Sequence, residues 1–107
     1  MNNILERKIS AIFDKNPGNF TRLEISIECP LDSGVSVTGK WIGSAGNAYA
    51  QFGGAKDFFL YIEEYRKNNP NYVFNRVSMI ANSDSRTMDV NFLFDEELQK
   101  RTEENMR

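Results

Sequence analysis

Histidine is absent from the 107 residues. With it go the usual general base, the base of a nucleophilic triad and the commonest zinc ligand. A serine nucleophile would have to find a lysine base instead. Cysteine is almost as scarce. The single Cys29 cannot close an internal disulfide, which suits a reducing compartment. Its alternation with Leu23, Ile25 and Ile27 marks it as a small buried hydrophobe. The neighbouring Glu28 works against a thiolate there. No apolar run approaches the roughly 20 residues that cross a bilayer. The opening Met1–Glu6 has no apolar h-region of a secretory signal. Cationic excess is missing too: 13 Lys and Arg face 15 Asp and Glu, for a net charge of −2. That balance points away from nucleic acid and toward a basic protein partner. Metal-ligand spacings are also lacking. Asn82-Ser83-Asp84-Ser85 is too short and too poor in acids for an EF-hand loop. Glu63-Glu64 and Glu103-Glu104 read as solvated helical faces. The expectation is a cytoplasmic protein with no cofactor, no metal, no catalytic residue and no membrane or nucleic-acid partner.

What is present is alternation. In residues 74–98, Val77, Met79 and Ala81 alternate with Arg76, Ser78 and Ile80. Beyond a polar break, Met88, Val90, Phe92 and Phe94 alternate with Thr87, Asp89, Asn91 and Leu93. Period two sends one set to a core and the other outward. The break, Asn82 to Arg86, is rich in residues that bond their own backbone in turns, so the stretch predicts a β-hairpin. A lone hairpin is marginal in water, and the rest of the chain must cover its apolar face.

The remaining elements supply that cover. Ile4, Leu5, Ile9, Ile12 and Phe13 make a helical stripe over residues 1–15, ended by Asn16-Pro17-Gly18-Asn19. Residues 20–29 read as a strand with Leu23, Ile25, Ile27 and Cys29 inward. The turn Pro30 to Gly34 leads to a second strand, 35–42, with Val37 and Trp41 on one face. A loop at 43–47 and a short strand at 48–52 complete a meander. Residues 55–68 predict a helix with Ala55, Phe58, Phe59, Ile62 and Tyr65 on its apolar face. Asp95 is placed to cap a last helix, 96–107, anchored by Leu98. The order is α-β-β-β-α-β-β-α. It describes one α+β domain over residues 1–107, an antiparallel sheet with helices packed on one face.

Two glycine-bearing stretches invite a phosphate. Gly43-Ser44-Ala45-Gly46-Asn47 precedes a strand, not a helix, and has no P-loop Lys-Ser pair, so a hairpin loop is the better reading. Gly53-Gly54 precedes a helix and offers free amides, but a strand-to-helix joint accounts for it.

The stretch FNRVSMIANSDSRTMDVNFLFDEEL, residues 74–98, also resembles the C-terminal part of YezG-like bacterial immunity proteins. It shares a polar-aromatic lead-in, an alternating strand, a Ser-Asp turn, a second strand ending in aromatics and an acidic helix start. The helix, meander and aromatic helix ahead of it follow the same order. The chain departs from the family at Gly39-Lys40-Trp41-Ile42-Gly43. The resemblance implies an immunity protein that binds and neutralises a toxin domain, such as a basic nuclease, of a contact-dependent or polymorphic toxin system. The candidate toxin-binding residues are Glu24, Glu28, Asp32, Asp84 and Asp89, with Trp41 as an aromatic anchor, although a lone tryptophan is more often a core residue. An acidic surface would meet a basic toxin quickly through electrostatic steering. Two other classes stay open: a non-enzymatic adaptor that binds protein or peptide, and a small ligand-binding domain or enzyme with an aromatic pocket.

Overall fold

Apolar alternation becomes a five-stranded sheet in the computed structural model, which describes residues 3–16, 20–31, 34–50, 52, 54–82 and 87–105. The order is α1 (Asn3–Asp14), β1 (Arg22–Glu28), β2 (Ser36–Gly43), β3 (Gly46–Tyr49), α2 (Lys56–Asn68), β4 (Arg76–Asn82), β5 (Thr87–Leu93) and α3 (Glu96–Asn105). The strands lie β3-β2-β1-β4-β5, and every neighbouring pair is antiparallel. This is the α+β arrangement expected. β1, whose burial alternates along its whole length, sits at the centre.

Register fixes which side chains meet. Leu23, Ile25 and Ile27 stand opposite Trp41, Gly39 and Val37 on one side, and opposite Ala81, Met79 and Val77 on the other. Met88, Val90 and Phe92 continue these rows on β5. Ile9 and Ile12 of α1 and Phe58 and Ile62 of α2 complete the same core, so both helices cover this inner face. Phe13, Tyr61 and Tyr65 pack at its margin. The α2 stripe is therefore Phe58, Tyr61, Ile62 and Tyr65, at helical spacing. Phe59 was expected in that stripe, but it is 39 % exposed. One residue past Phe58, it is rotated about 100° away from the core. Phe94 was likewise expected inward, but it lies beyond the end of β5 and is 42 % exposed.

The meander turns more tightly than its glycines suggested. Gly43 pairs with Gly46, which leaves Ser44-Ala45 as a two-residue turn, and Gly46 has φ 138°. Gly39 is required for space. A Cβ there would overlap the Phe52 ring, with Cε2 at 2.7 Å. That ring packs edge-on against Phe58. Turn residues 17–19, 32–33 and 83–86 fall outside the described residues, as does Gly53 of the Gly53-Gly54 joint.

Polar side chains stitch the elements at one end of the sheet. Asn75 is fully buried and uses both backbone and side chain. Its N–H donates to the Leu93 carbonyl and its carbonyl accepts from the Cys29 N–H. Its Nδ2 donates to the Asp95 carbonyl at 2.8 Å, and the Asp95 N–H donates to its Oδ1 at 2.7 Å. The side-chain amide thus behaves as one more peptide unit of the β4–β5 ladder. Asp95 Oδ1 accepts from the Leu98 N–H at 3.1 Å, the expected N-cap of α3. Leu98 is buried, and so is Gln99, whose Oε1 accepts from the Leu31 N–H at 2.9 Å. Arg66 of α2 donates to the carbonyls of Cys29 and Phe74 and lies over the Phe74 ring, 4.9 Å from its centroid.

Candidate functional site

The strands that bury one face leave the other open. Its residues, read across the register from β3 to β5, fall into rows. One row is Tyr49, Lys40, Glu24, Ile80 and Asp89. The next is Thr38, Ser26, Ser78 and Asn91. A third is Ser36, Glu28, Arg76 and Leu93. The middle row carries short side chains between two rows of long ones. It forms the floor of a shallow depression of about 330 Å³ lined by Glu24, Ser26, Thr38, Lys40, Tyr49, Ser78 and Ile80. Strand geometry makes this depression rigid, because every floor residue sits in a ladder paired on both sides or adjoins one that does.

Of the expected site residues, Glu24, Glu28 and Asp89 come to this face together. Glu24 and Glu28, four residues apart on one strand, stand roughly 13 Å from each other. Asp89 lies two strands away from Glu24, roughly 10 Å across the sheet. No two of these carboxylates converge as an acid–base pair. Asp32 and Asp84 lie outside the described residues. Trp41 does not belong to the face. It is 3 % exposed on the inner side, opposite Leu23 and Ala48, with Phe13 edge-on at 5.5 Å and Phe20 stacked at 6.2 Å. Its expected role as an anchor is therefore corrected: the indole fills the core between α1 and the meander. The exposed aromatic within these rows is Tyr49, 88 % accessible beside Lys40. The signal for it lay in the alternation of Ala48, Ala50 and Phe52 with Tyr49, which turns Tyr49 outward.

The electrostatics are balanced rather than acidic. Arg22 pairs with Glu24 at 3.0 Å. Arg76 reaches Glu28 at 3.5 Å and Asp95 at 2.9 Å. Among the described residues the strands of this face carry three cations, Arg22, Lys40 and Arg76, and three anions, Glu24, Glu28 and Asp89, with Asp95 beyond β5 as a further anion. The Leu98 N–H and the Arg76 guanidinium hold the Asp95 carboxyl below its ordinary 3.8. Cys29 is fully buried behind this face, and burial pushes its thiol up, with Arg66 opposing in part. Among the described residues, no group of three or more Cys, Asp and Glu side chains is placed to hold a metal ion, and no helix is long and apolar enough to cross a membrane.

No protein-family model matches the chain, and no curated protein matches it.

Proposed function

We propose that the protein is an immunity protein. It works without catalysis in the cytoplasm, binding the toxin domain of a contact-dependent or polymorphic toxin system and neutralising it. The observation that carries this reading is the open outer face. Tyr49, Lys40, Glu24, Ile80 and Asp89 stand in one row on a rigid sheet, beside a floor of small residues. Side chains held on a rigid sheet lose little freedom on docking. An exposed tyrosine and an isoleucine flanking charged residues in one row suit a binding hot spot and its rim. The resemblance of residues 74–98 to YezG-like immunity proteins supports the same reading.

The balanced charge sharpens the expected partner. The net −2 of the whole chain favours approach by a basic toxin domain. At the face itself, Glu24 and Glu28 act through partner cations that displace Arg22 and Arg76, which sets register more than rate. A second reading, a non-enzymatic adaptor, is favoured by the shallow trough over Ser26, Thr38 and Ser78, which suits one projecting segment of a partner. Co-expression with the product of the adjacent upstream gene separates the two. Immunity requires a stable complex and survival of cells making that product. Absence of both removes the immunity reading, and turnover of substrate by the purified protein alone removes the non-catalytic one.

A further inference from the structure

Among the described residues β5 is paired on one side only, because it ends the strand order. Protein edges of this length are normally guarded by Lys, Pro, a bulge or a covering element. β5, TMDVNFL, has no Lys, Arg or Pro, and Asp89 is its only charge. The opposite edge, β3, is four residues long and springs directly from a tight turn. The exposed apolar residues Leu93 and Phe94 lie at the end of β5, where Tyr72 of the segment entering β4 meets the Phe92 carbonyl and ring.

Backbone direction shows what this edge offers. The Leu93 carbonyl accepts from the Asn75 N–H, so Leu93 faces β4. In an antiparallel ladder alternate residues point both polar groups the same way. Met88, Val90 and Phe92 therefore direct theirs to the open side. The Phe92 carbonyl does meet the Tyr72 hydroxyl there, at 3.5 Å.

We propose that two copies of the chain join along β5, antiparallel, about a twofold axis through Val90. Val90 is the midpoint of Thr87–Leu93, so this register overlaps the whole strand. It also places each open backbone group opposite another. Val90 exchanges both bonds with its symmetry mate, and Met88 does so with Phe92 of the second copy, whose carbonyl takes the Met88 N–H on the lone pair that Tyr72 leaves free. On the outer face Asp89 meets Asn91, and Thr87 meets Leu93. On the inner face the half-buried Met88, Val90 and Phe92 form one continuous row. A register centred on Asp89 would instead oppose two carboxylates. The contact is isologous, as a closed dimer requires. It joins two sheets into one of ten strands and leaves both outer faces open. A contact of one strand and its apolar end is small, so dissociation is expected on the order of micromolar.

Sedimentation equilibrium of the full chain, from low micromolar to millimolar, tests this. The wild type is expected to show a reversible monomer–dimer equilibrium. Asn91→Asp sets two carboxylate pairs across the axis and should weaken it by about tenfold. Asn91→Lys sets two opposite-charge pairs there and should hold or tighten it. Within its own sheet Asn91 faces Ser78, so both variants should melt like the wild type. A wild type that stays monomeric throughout overturns the proposal. So does a dimer that Asn91→Asp leaves unchanged, or that Asn91→Lys weakens more than Asn91→Asp does.

Discussion

The two faces of the sheet share every strand and every ladder hydrogen bond, yet they differ in what fills them. Inward, Leu23, Ile25, Ile27, Val77 and Met79 are at most 2 % exposed and meet two helices. Outward, the same strands present Glu24, Ser26, Glu28, Ser78 and Ile80 to water or to a partner. Alternation is enough to build the first face, because burying apolar surface is non-directional and rewards any side chain of the right size. The second face is built from charge pairs and small residues whose meaning depends on what docks there. The inner face is thus committed to stability, and the outer face is left available for recognition.

Breaking the inner side should have the largest effect. Phe74 is fully buried where β4 begins, edge-on to Tyr65 at 5.6 Å and to Phe92 at 5.0 Å. Phe74→Ala should cost about 3–5 kcal/mol in denaturant titration, as large-to-small core changes do. Phe92 is half-buried, so Phe92→Ala should cost less than Phe74→Ala. Equal costs would mean that the β5 side of the core is drier than its exposure indicates.

Arg66 comes next. It joins α2 to the ends of β1 and β4 through two carbonyls and one ring. Arg66→Ala should cost about 2–3 kcal/mol, because hydrogen bonds from a charged group are the stronger kind. Arg66→Lys should recover only part of this, since one ammonium cannot reproduce the planar fork.

A smaller effect appears with acid. Asp95 has its carboxyl lowered by the Leu98 N–H and by Arg76, so its charged form favours the folded state. That contribution is complete above the ordinary value of 3.8 and is lost as pH falls through the lower folded value. Asp95→Asn keeps the cap but removes the charge. The wild type should be the more stable at neutral pH, and its advantage should shrink below 3.8. A difference that does not vary with pH would assign the effect to packing.

How far the sequence reveals the molecule follows the same division. The alternation of residues 23–29, 77–81 and 88–92 shows which side chains face inward, and the order of elements follows from helical stripes and turn residues. Trp41, of a residue type that often anchors interfaces, faces the core because its parity on β2 matches that of Val37. Asn75, Arg66 and Gln99 leave no periodic trace. Each acts through a backbone group distant in sequence, 20 residues away for Asn75 and Asp95, 37 for Arg66 and Cys29, and 68 for Gln99 and Leu31. On the outer face, alternation does place Glu24, Glu28 and Asp89 together. The pairing of Glu28 with Arg76, which removes the net acidity, depends on β1 lying beside β4. Tyr49 follows from the same alternation, with Ala48 turned inward opposite Trp41.

The division of labour between the faces is tested most directly by binding. Tyr49→Ala and Ile80→Ser alter the outer face, and Phe59→Ala and Leu60→Ser alter the exposed side of α2. All four sites are exposed or half-exposed, so stability should change little. The affinity of each variant for the toxin domain proposed as partner is the decisive quantity. The outer-face pair should each weaken binding by about tenfold or more, as hot-spot truncations do, with the helix pair near wild type. Loss of affinity in the helix variants, with the Tyr49 and Ile80 variants unchanged, would contradict the account.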